Sequence, residues 1–245
     1  MSKQSGLGDR LFVGGYNLSG DIGSLQRIAG GPAALDMTSI DKSAFERRGG
    51  LRDGGIDFTA YFNTTGAHPV LSALPTSDVV VTYLRGTSLG GQAANLVGKQ
   101  LNYDGTRGAD GTLSLTVQTV ANGYGLEWGT QLTAGVRTDG AAANGSSVDG
   151  TASSTFGLQA YLQVFGFTGT DATVKLQDSA DNSSWADVTG GVFTQITGGP
   201  TSQRIATAAD LTVRRYLRVT TVTTGGFTDL QFAVSVTRNA TEPEF

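Results

Sequence analysis

Between residues 56 and 63 the chain alternates with a period of two. Ile56, Phe58, Ala60 and Phe62 fall on one side, and Asp57, Thr59, Tyr61 and Asn63 on the other. That spacing predicts a half-buried strand. The same alternation returns at Leu158, Ala160, Leu162 and Val164. Further strands are expected at 79–86, 94–105, 111–122 and 125–136, and later in "ATVKLQDS", "VTGGVFTQI", "TVRRYLRVTTV" and "LQFAVSVTR". Near the start, "RLFVGGYNLSGDIGSLQRI" reads as strand interrupted by glycines, which suggests bulges or bends. "AALDMTSIDKSAFERR" is ambiguous: Leu35, Met37 and Ser39 alternate, while Ile40, Ala44 and Phe45 fit a short helical turn. It is read as extended.

One stretch predicts a helix. "TTGAHPVLSALPTSD" has Pro69 near its first turn, Val70, Leu71 and Leu74 as apolar positions, and Pro75 as a stop. At about two turns it needs a sheet to pack against. Residues 138–155, "TDGAAANGSSVDGTASST", have almost no apolar bulk and read as a linker or long loop. These patterns divide the chain into a flexible arm (1–9), a first β domain (10–137), the linker, a sandwich at 156–239 and a short tail (240–245).

Composition narrows the class. The 245 residues include 36 glycines with no triplet register, and turn-rich, β-branched sequence of this kind favours a mainly β protein. With no cysteine there is no disulfide framework, thiolate metal site or cysteine nucleophile. The first residues lack the apolar core of a signal peptide, and no apolar run approaches a membrane span, so synthesis in the cytoplasm without membrane insertion is expected. Net charge is −4; residues 1–154 hold 11 Lys/Arg against 13 Asp/Glu, and residues 155–245 hold 6 against 8. Neither half has the positive field that grips nucleic acid.

Candidate chemistry is sparse, and no catalytic, cofactor-binding or metal-binding residue is assigned. His68, the single histidine, precedes Pro69 at the helix start, where capping or packing explains it better than a Ser-His-Asp triad. Hydrolase and nucleotide-binding motifs are absent. Asp178, Asp181 and Asn182 lack the spacing of a calcium loop and read as a turn bonding to its own backbone. Trp185 fits an anchor in the sandwich core, with glycan stacking as the alternative. Arg214, Arg215 and Arg218 are expected to pair with nearby acids. Glu46, Arg47, Arg48, Arg52, Asp53 and Asp57 cluster with two Gly-Gly pairs beside the alternating strand. Asp104, Arg107 and Asp110 mark a loop tip in "NYDGTRGADG". Both signs of charge in such places suit a contact that repeats from copy to copy.

Taken together, "LDMTSIDKSAFERRGGLRDGGIDFTAYFN", "HPVLSALPTSD", "TYLRG" and "KQLNYDGTRGADGTLSLTVQTVANGYGLEWG" resemble the major tail proteins, or tail tube proteins, of long-tailed, non-contractile phages, especially those of actinobacteria. The resemblance implies a tail-tube fold of two packed antiparallel sheets flanked by one short helix, with an inner β-barrel completed across subunits and a C-terminal β-sandwich. It implies self-association into stacked, hexameric rings around a tape-measure protein, with tail-terminator or tip proteins at the ends. DNA would pass through the lumen without specific binding, in a virion assembled in the host cytoplasm. The competing readings are a carbohydrate-binding or adhesin module on the sandwich, a hydrolase using His68, and a capsid decoration protein.

Overall fold

The computed structural model describes residues 5–241; of the expected arm and tail, residues 1–4 and 242–245 lie outside the described residues. The chain is mainly β. It runs through β1 (Arg10–Val13), β2 (Tyr16–Asn17), β3 (Ile22–Asp36), β4 (Arg47–Tyr61), the helix α1 (Ala67–Leu71) and β5 (Val79–Leu84). Then follow β6 (Gln92–Gln100), β7 (Asp104–Arg107), β8 (Leu113–Val117), β9 (Thr119–Ala121), β10 (Glu127–Gln131), β11 (Arg137–Asp139) and β12 (Val148–Asp149). The last strands are β13 (Leu158–Gly169), β14 (Thr173–Ser179), β15 (Ala186–Val192), β16 (Thr201–Ala206), β17 (Tyr216–Val222) and β18 (Phe227–Arg238). They form two antiparallel sheets, with no barrel closed within one chain.

Backbone packing divides the chain into two compact units. One comprises residues 1–20, 80–95 and 128–245; the other comprises residues 21–79 and 96–127. The expected boundary at 138–155 is not where these units part.

In the larger unit, β13 pairs along its length with β18, and with β16 on its other side. This sheet faces the four-stranded sheet β12-β17-β14-β15. Between them lies a core of alternating side chains: Leu158, Ala160, Leu162 and Val164 from β13, Phe232, Val234 and Val236 from β18, and Val174, Leu176 and Val219 from the facing sheet. The even positions of β13 thus point inward as the alternation predicts. The odd positions are buried too, because residues 10–17 and 80–84 cover the other face. There Gln163 donates to the Val80 carbonyl and Thr82 Oγ1, and accepts from the Gly15 amide at 2.7 Å. Gly14 and Gly15, both at positive φ, make the tight turn from β1 to β2 that a side chain would strain. Asp9, in the expected flexible arm, is held by Tyr83, by Arg85 at 2.7 Å and by the Gly86 amide.

Residues 138–155 are not a free linker. Asn144, Val148, Asp149 and Ser154 line up in short bridges along β17 and residue 213. At the turn into β18, Asp171 accepts hydrogen bonds from the backbone of Thr224 and Gly225 and the hydroxyls of Thr223 and Thr224. These bonds, the Thr224 amide foremost, hold its carboxyl down to about 2.

In the smaller unit, β3 and β4 form one long antiparallel ribbon from Ile22↔Ala60 to Asp36↔Arg47. β8 pairs with residues 58–61 of β4, and β7 with β8. The helix is a single turn, shorter than expected, and Gly66 at its start offers no side-chain cap. Asp21 substitutes, accepting from the Ala67 amide at 2.8 Å, and Gln100 donates to the Leu71 carbonyl at the other end. Two of the ribbon glycines, Gly30 and Gly54, provide close packing. Gly30 and Gly54 stand opposite each other, and a Cβ on either would meet Leu126 at 2.7 or 2.6 Å.

Two outcomes follow. Gly54→Val forces Leu126 off the ribbon and should lower stability by about 1–3 kcal/mol in urea unfolding. The Asp171 stabilisation is complete above the ordinary carboxylate pKa and is lost as pH falls through about 2. Asp171→Asn should therefore melt below the parent near neutral pH, with the gap closing as both are taken from about pH 4 to about pH 2.

Candidate assembly surface

The charged cluster first noted in the sequence lies on the β3–β4 ribbon beyond the rung where Leu126 crosses it. On the near side of that rung, Ile56, Phe58 and Ala60 are fully buried. On the far side, both strands are exposed, from residue 31 out to Asp36 and back from Arg47 to Asp53. No third strand pairs with this part of the ribbon among the described residues.

Its side chains are the wrong kind for plain solvent contact. Leu35 (49% exposed), Met37 (58%), Phe45 (68%), Leu51 (89%) and Ile40, fully open at the tip, project from it. So many large apolar groups in 17 consecutive residues make a patch of the sort that marks an interaction surface. Sequence reasoning read this stretch as extended but did not single out its apolar residues as a surface patch. The signal was present: apolar residues with no third apolar segment in register to cover them.

The charges are interleaved with this apolar set. Arg47 stacks over the Phe45 ring at 4.4 Å, and Glu46 pairs with Lys42 at 3.4 Å. Arg48 stands opposite Leu35, and Arg52 opposite Pro32. Asp53 accepts from the Gly54 amide at 2.7 Å. Asp57 is different. It is buried, accepts from the Thr119 amide and faces Arg27 at 3.6 Å, so it belongs to the interior of its unit rather than to the surface. Its place on the alternating strand predicted an exposed side chain, but β9 covers that face.

The second charged group is also resolved more finely. Asp104 and Arg107 lie in β7, not in a loop, and Asp104 accepts from Asn102 at 2.6 Å. Asp110 alone marks the tip, where its carboxylate accepts from the amide and hydroxyl of Thr112 at 3.0 Å. Those bonds lower its pKa. The β7–β8 turn lies at the Tyr61 end of β4, because the Leu113 carbonyl accepts from the Phe62 amide there. The bare ribbon lies at the Arg47 end. From Asp53 to Tyr61, eight residues of extended strand separate the two groups, on the order of 25 Å. Arg48, Arg52 and Arg107 form no ion pair among the described residues.

The remaining candidates have local explanations. His68 sits within α1, its Nδ1 2.9 Å from the Tyr103 hydroxyl and its ring 4.5 Å from Phe62. Asp181 accepts from the amides of Ser183 and Ser184, the self-bonded turn that was expected. Arg214 pairs with Asp178 at 2.8 Å and Arg215 with Asp149 at 2.6 Å. Trp185 is partly exposed and stands outside the sandwich core, against the expectation of an anchor; it stacks on Arg218 instead. No group of His, Asp and Glu that could hold a metal ion is present among the described residues, and no helix among them is long and apolar enough to cross a membrane.

No protein-family model matches the chain, and no characterised protein matches it in sequence. Among solved structures, a chain from the virion of a native gene transfer agent particle is similar over 51% of this chain and 98% of its own. The identity is 15% and the TM-score 0.41. The SPP1 Dit protein, described as a paradigm of the hub adsorption apparatus in phages infecting Gram-positive bacteria, is similar over 94% of this chain and 98% of its own. Here the identity is 12% and the TM-score 0.32. Likenesses this distant carry no weight in the argument that follows.

If the bare ribbon serves contact rather than folding, it is dispensable to the isolated chain. Replacing residues 32–52 by Asn-Gly joins the opposed residues Gly31 and Asp53 through a two-residue turn. The shortened protein should keep its circular dichroism spectrum and melt within a few degrees of the parent. A collapse of the fold would instead assign the ribbon a structural role.

Proposed function

We propose that this chain is a virion structural protein of a phage tail, assembling with copies of itself into stacked rings that form the tail tube. The observation that carries the reading is the bare β3–β4 ribbon, which displays Leu35, Met37, Ile40, Phe45 and Leu51 with arginines between them. The sequence resemblance set out above supplies the geometry of the assembly: six copies to a ring, a continuous inner barrel, and a lumen that conducts DNA. By the same resemblance the partners are a tape-measure protein and tail-terminator or tip proteins, with assembly in the host cytoplasm.

Energetics favour a repeated contact over a single one. Burying a large apolar side chain is worth roughly 1.5–3 kcal/mol, so covering five gives on the order of 10 kcal/mol. Association itself costs about 4–15 kcal/mol. One ribbon seated on one neighbour therefore breaks nearly even, while a ring or stack, where every copy both gives and receives a ribbon, multiplies the gain. The placement of charged groups at both ends of β4 suits head-to-tail stacking, a heterologous contact that propagates instead of closing. The free outer edge of β3 would be covered in the same way by a neighbouring strand. An overall acidic chain also suits a conduit, since a basic lumen would retain phosphate.

The test is assembly itself. Negative-stain electron microscopy and size-exclusion light scattering at rising concentration should show rings or hollow tubes for the parent. Arg48→Glu and Arg52→Glu should stay monomeric with unchanged melting temperatures. Variants that polymerise like the parent overturn the assignment of this surface.

A further inference from the structure

The larger unit carries a second organised surface, on the outward face of its four-stranded sheet. Gln177 of β14 stands directly opposite Asp187 of β15 and opposite Arg218 of β17. The three side chains are bonded in a row. Arg218 donates through Nε and Nη2 to Gln177 Oε1 at 2.9 and 2.7 Å, and Gln177 Nε2 donates to Asp187 Oδ1 at 2.7 Å. Lys175 closes the row by donating to Asp187 Oδ2 at 2.6 Å. Over it lies Trp185, whose ring sits 4.3 Å from the Arg218 guanidinium carbon.

The position of the ring follows from the strand order. Trp185 immediately precedes β15, whereas Arg218 is on β17, with β14 between them. To reach Arg218 the indole must extend across β14, and Ser179, next along the outward face of that strand, is completely buried. The aromatic ring is therefore backed by a cation, and the residue remains partly exposed. It is not part of the hydrophobic core, so its burial does not account for its presence.

A pyranose ring presents an apolar C–H face and a rim of hydroxyls. An aromatic plane takes the first, and planar amide, carboxylate and guanidinium groups take the second, in pairs. Here both stand together over about 10 Å, the width of three strands and the scale of a disaccharide. The polar groups are already fixed by bonds to one another, which lowers the ordering cost of binding. Arg218 has no carboxylate partner among the described residues, and its Nη1 is not used in the row. We propose that the outward face around Trp185, Arg218, Gln177 and Asp187 is a binding site for an oligosaccharide, with one pyranose ring stacked on the Trp185 indole. The site is independent of the ribbon, so tube assembly and sugar binding stand or fall separately.

The experiment uses the full chain carrying Trp128→Phe, which leaves Trp185 as the single tryptophan. Its retention on an array of immobilised bacterial and plant glycans is measured first. The soluble form of each retained glycan, with cellohexaose and chitohexaose added in every case, is then titrated while Trp185 emission is followed. The expected result is retention on the array that Trp185→Ala abolishes, and a saturable change in Trp185 emission whose midpoint Arg218→Met raises at least about tenfold, with melting and ring formation unchanged. No retained glycan and no change in emission overturns the proposal. So does retention that survives Trp185→Ala. A Trp185→Ala variant that loses stability or assembly, with no glycan response in the parent, assigns the stack to folding or to contact between copies and overturns it as well.

Discussion

The contact of Leu126 with the Gly30–Gly54 pair is the constraint on which the smaller unit turns. A strand pair can be buried on a face only where something lies over it, and the loop carrying Leu126 approaches so closely that the two opposed positions have no room for a side chain. Up to that rung β4 belongs to a core, while β3 runs along it half-buried or exposed. Beyond it the same two strands continue through further backbone pairs with nothing above them. Backbone hydrogen bonding alone keeps a two-stranded ribbon only marginally ordered in water. Its apolar side chains meet no covering strand among the described residues.

The larger unit is built on an opposite economy of space. β13 is covered on both faces, and its polar residues are as deeply placed as its apolar ones. Gln163 is tolerated there because its amide meets the carbonyl, hydroxyl and amide left by neighbouring segments. A buried amide with full partners costs little, and it fixes which strand lies over β13. The outer sheet, by contrast, spends its polar side chains on one another across its exposed face, which is why that face is rigid enough to hold a defined shape.

Much of this was readable from residue order. Period-two runs located β4 and β13, the Pro69–Pro75 interval located the helix, and the loop tip read in "NYDGTRGADG" overlaps the β7–β8 turn, although Asp104–Arg107 form β7. What escaped is what depends on partners distant in the chain. Gln159 and Gln163 look solvent-facing by alternation, yet both are buried, and residues 15, 80 and 82 close over Gln163. Asp57 looks exposed for the same reason and is not. The division into units was illegible because each is stitched from separate segments. The charged surface was legible as composition, while its apolar half was not, since a rule that places apolar residues inside cannot distinguish a core from a surface awaiting a partner. Trp185 was misread by that same rule.

Pro32 bears on how the edge of β3 can be paired. It lies on β3, opposite Arg52, at a register shift between Pro32 and Ala34, and it has no amide to donate. A stray strand approaching that edge finds the ladder of donors broken midway. A strand added at that edge gains fewer backbone bonds there than along an unbroken ladder, so its hold rests more on the side chains to either side of the break.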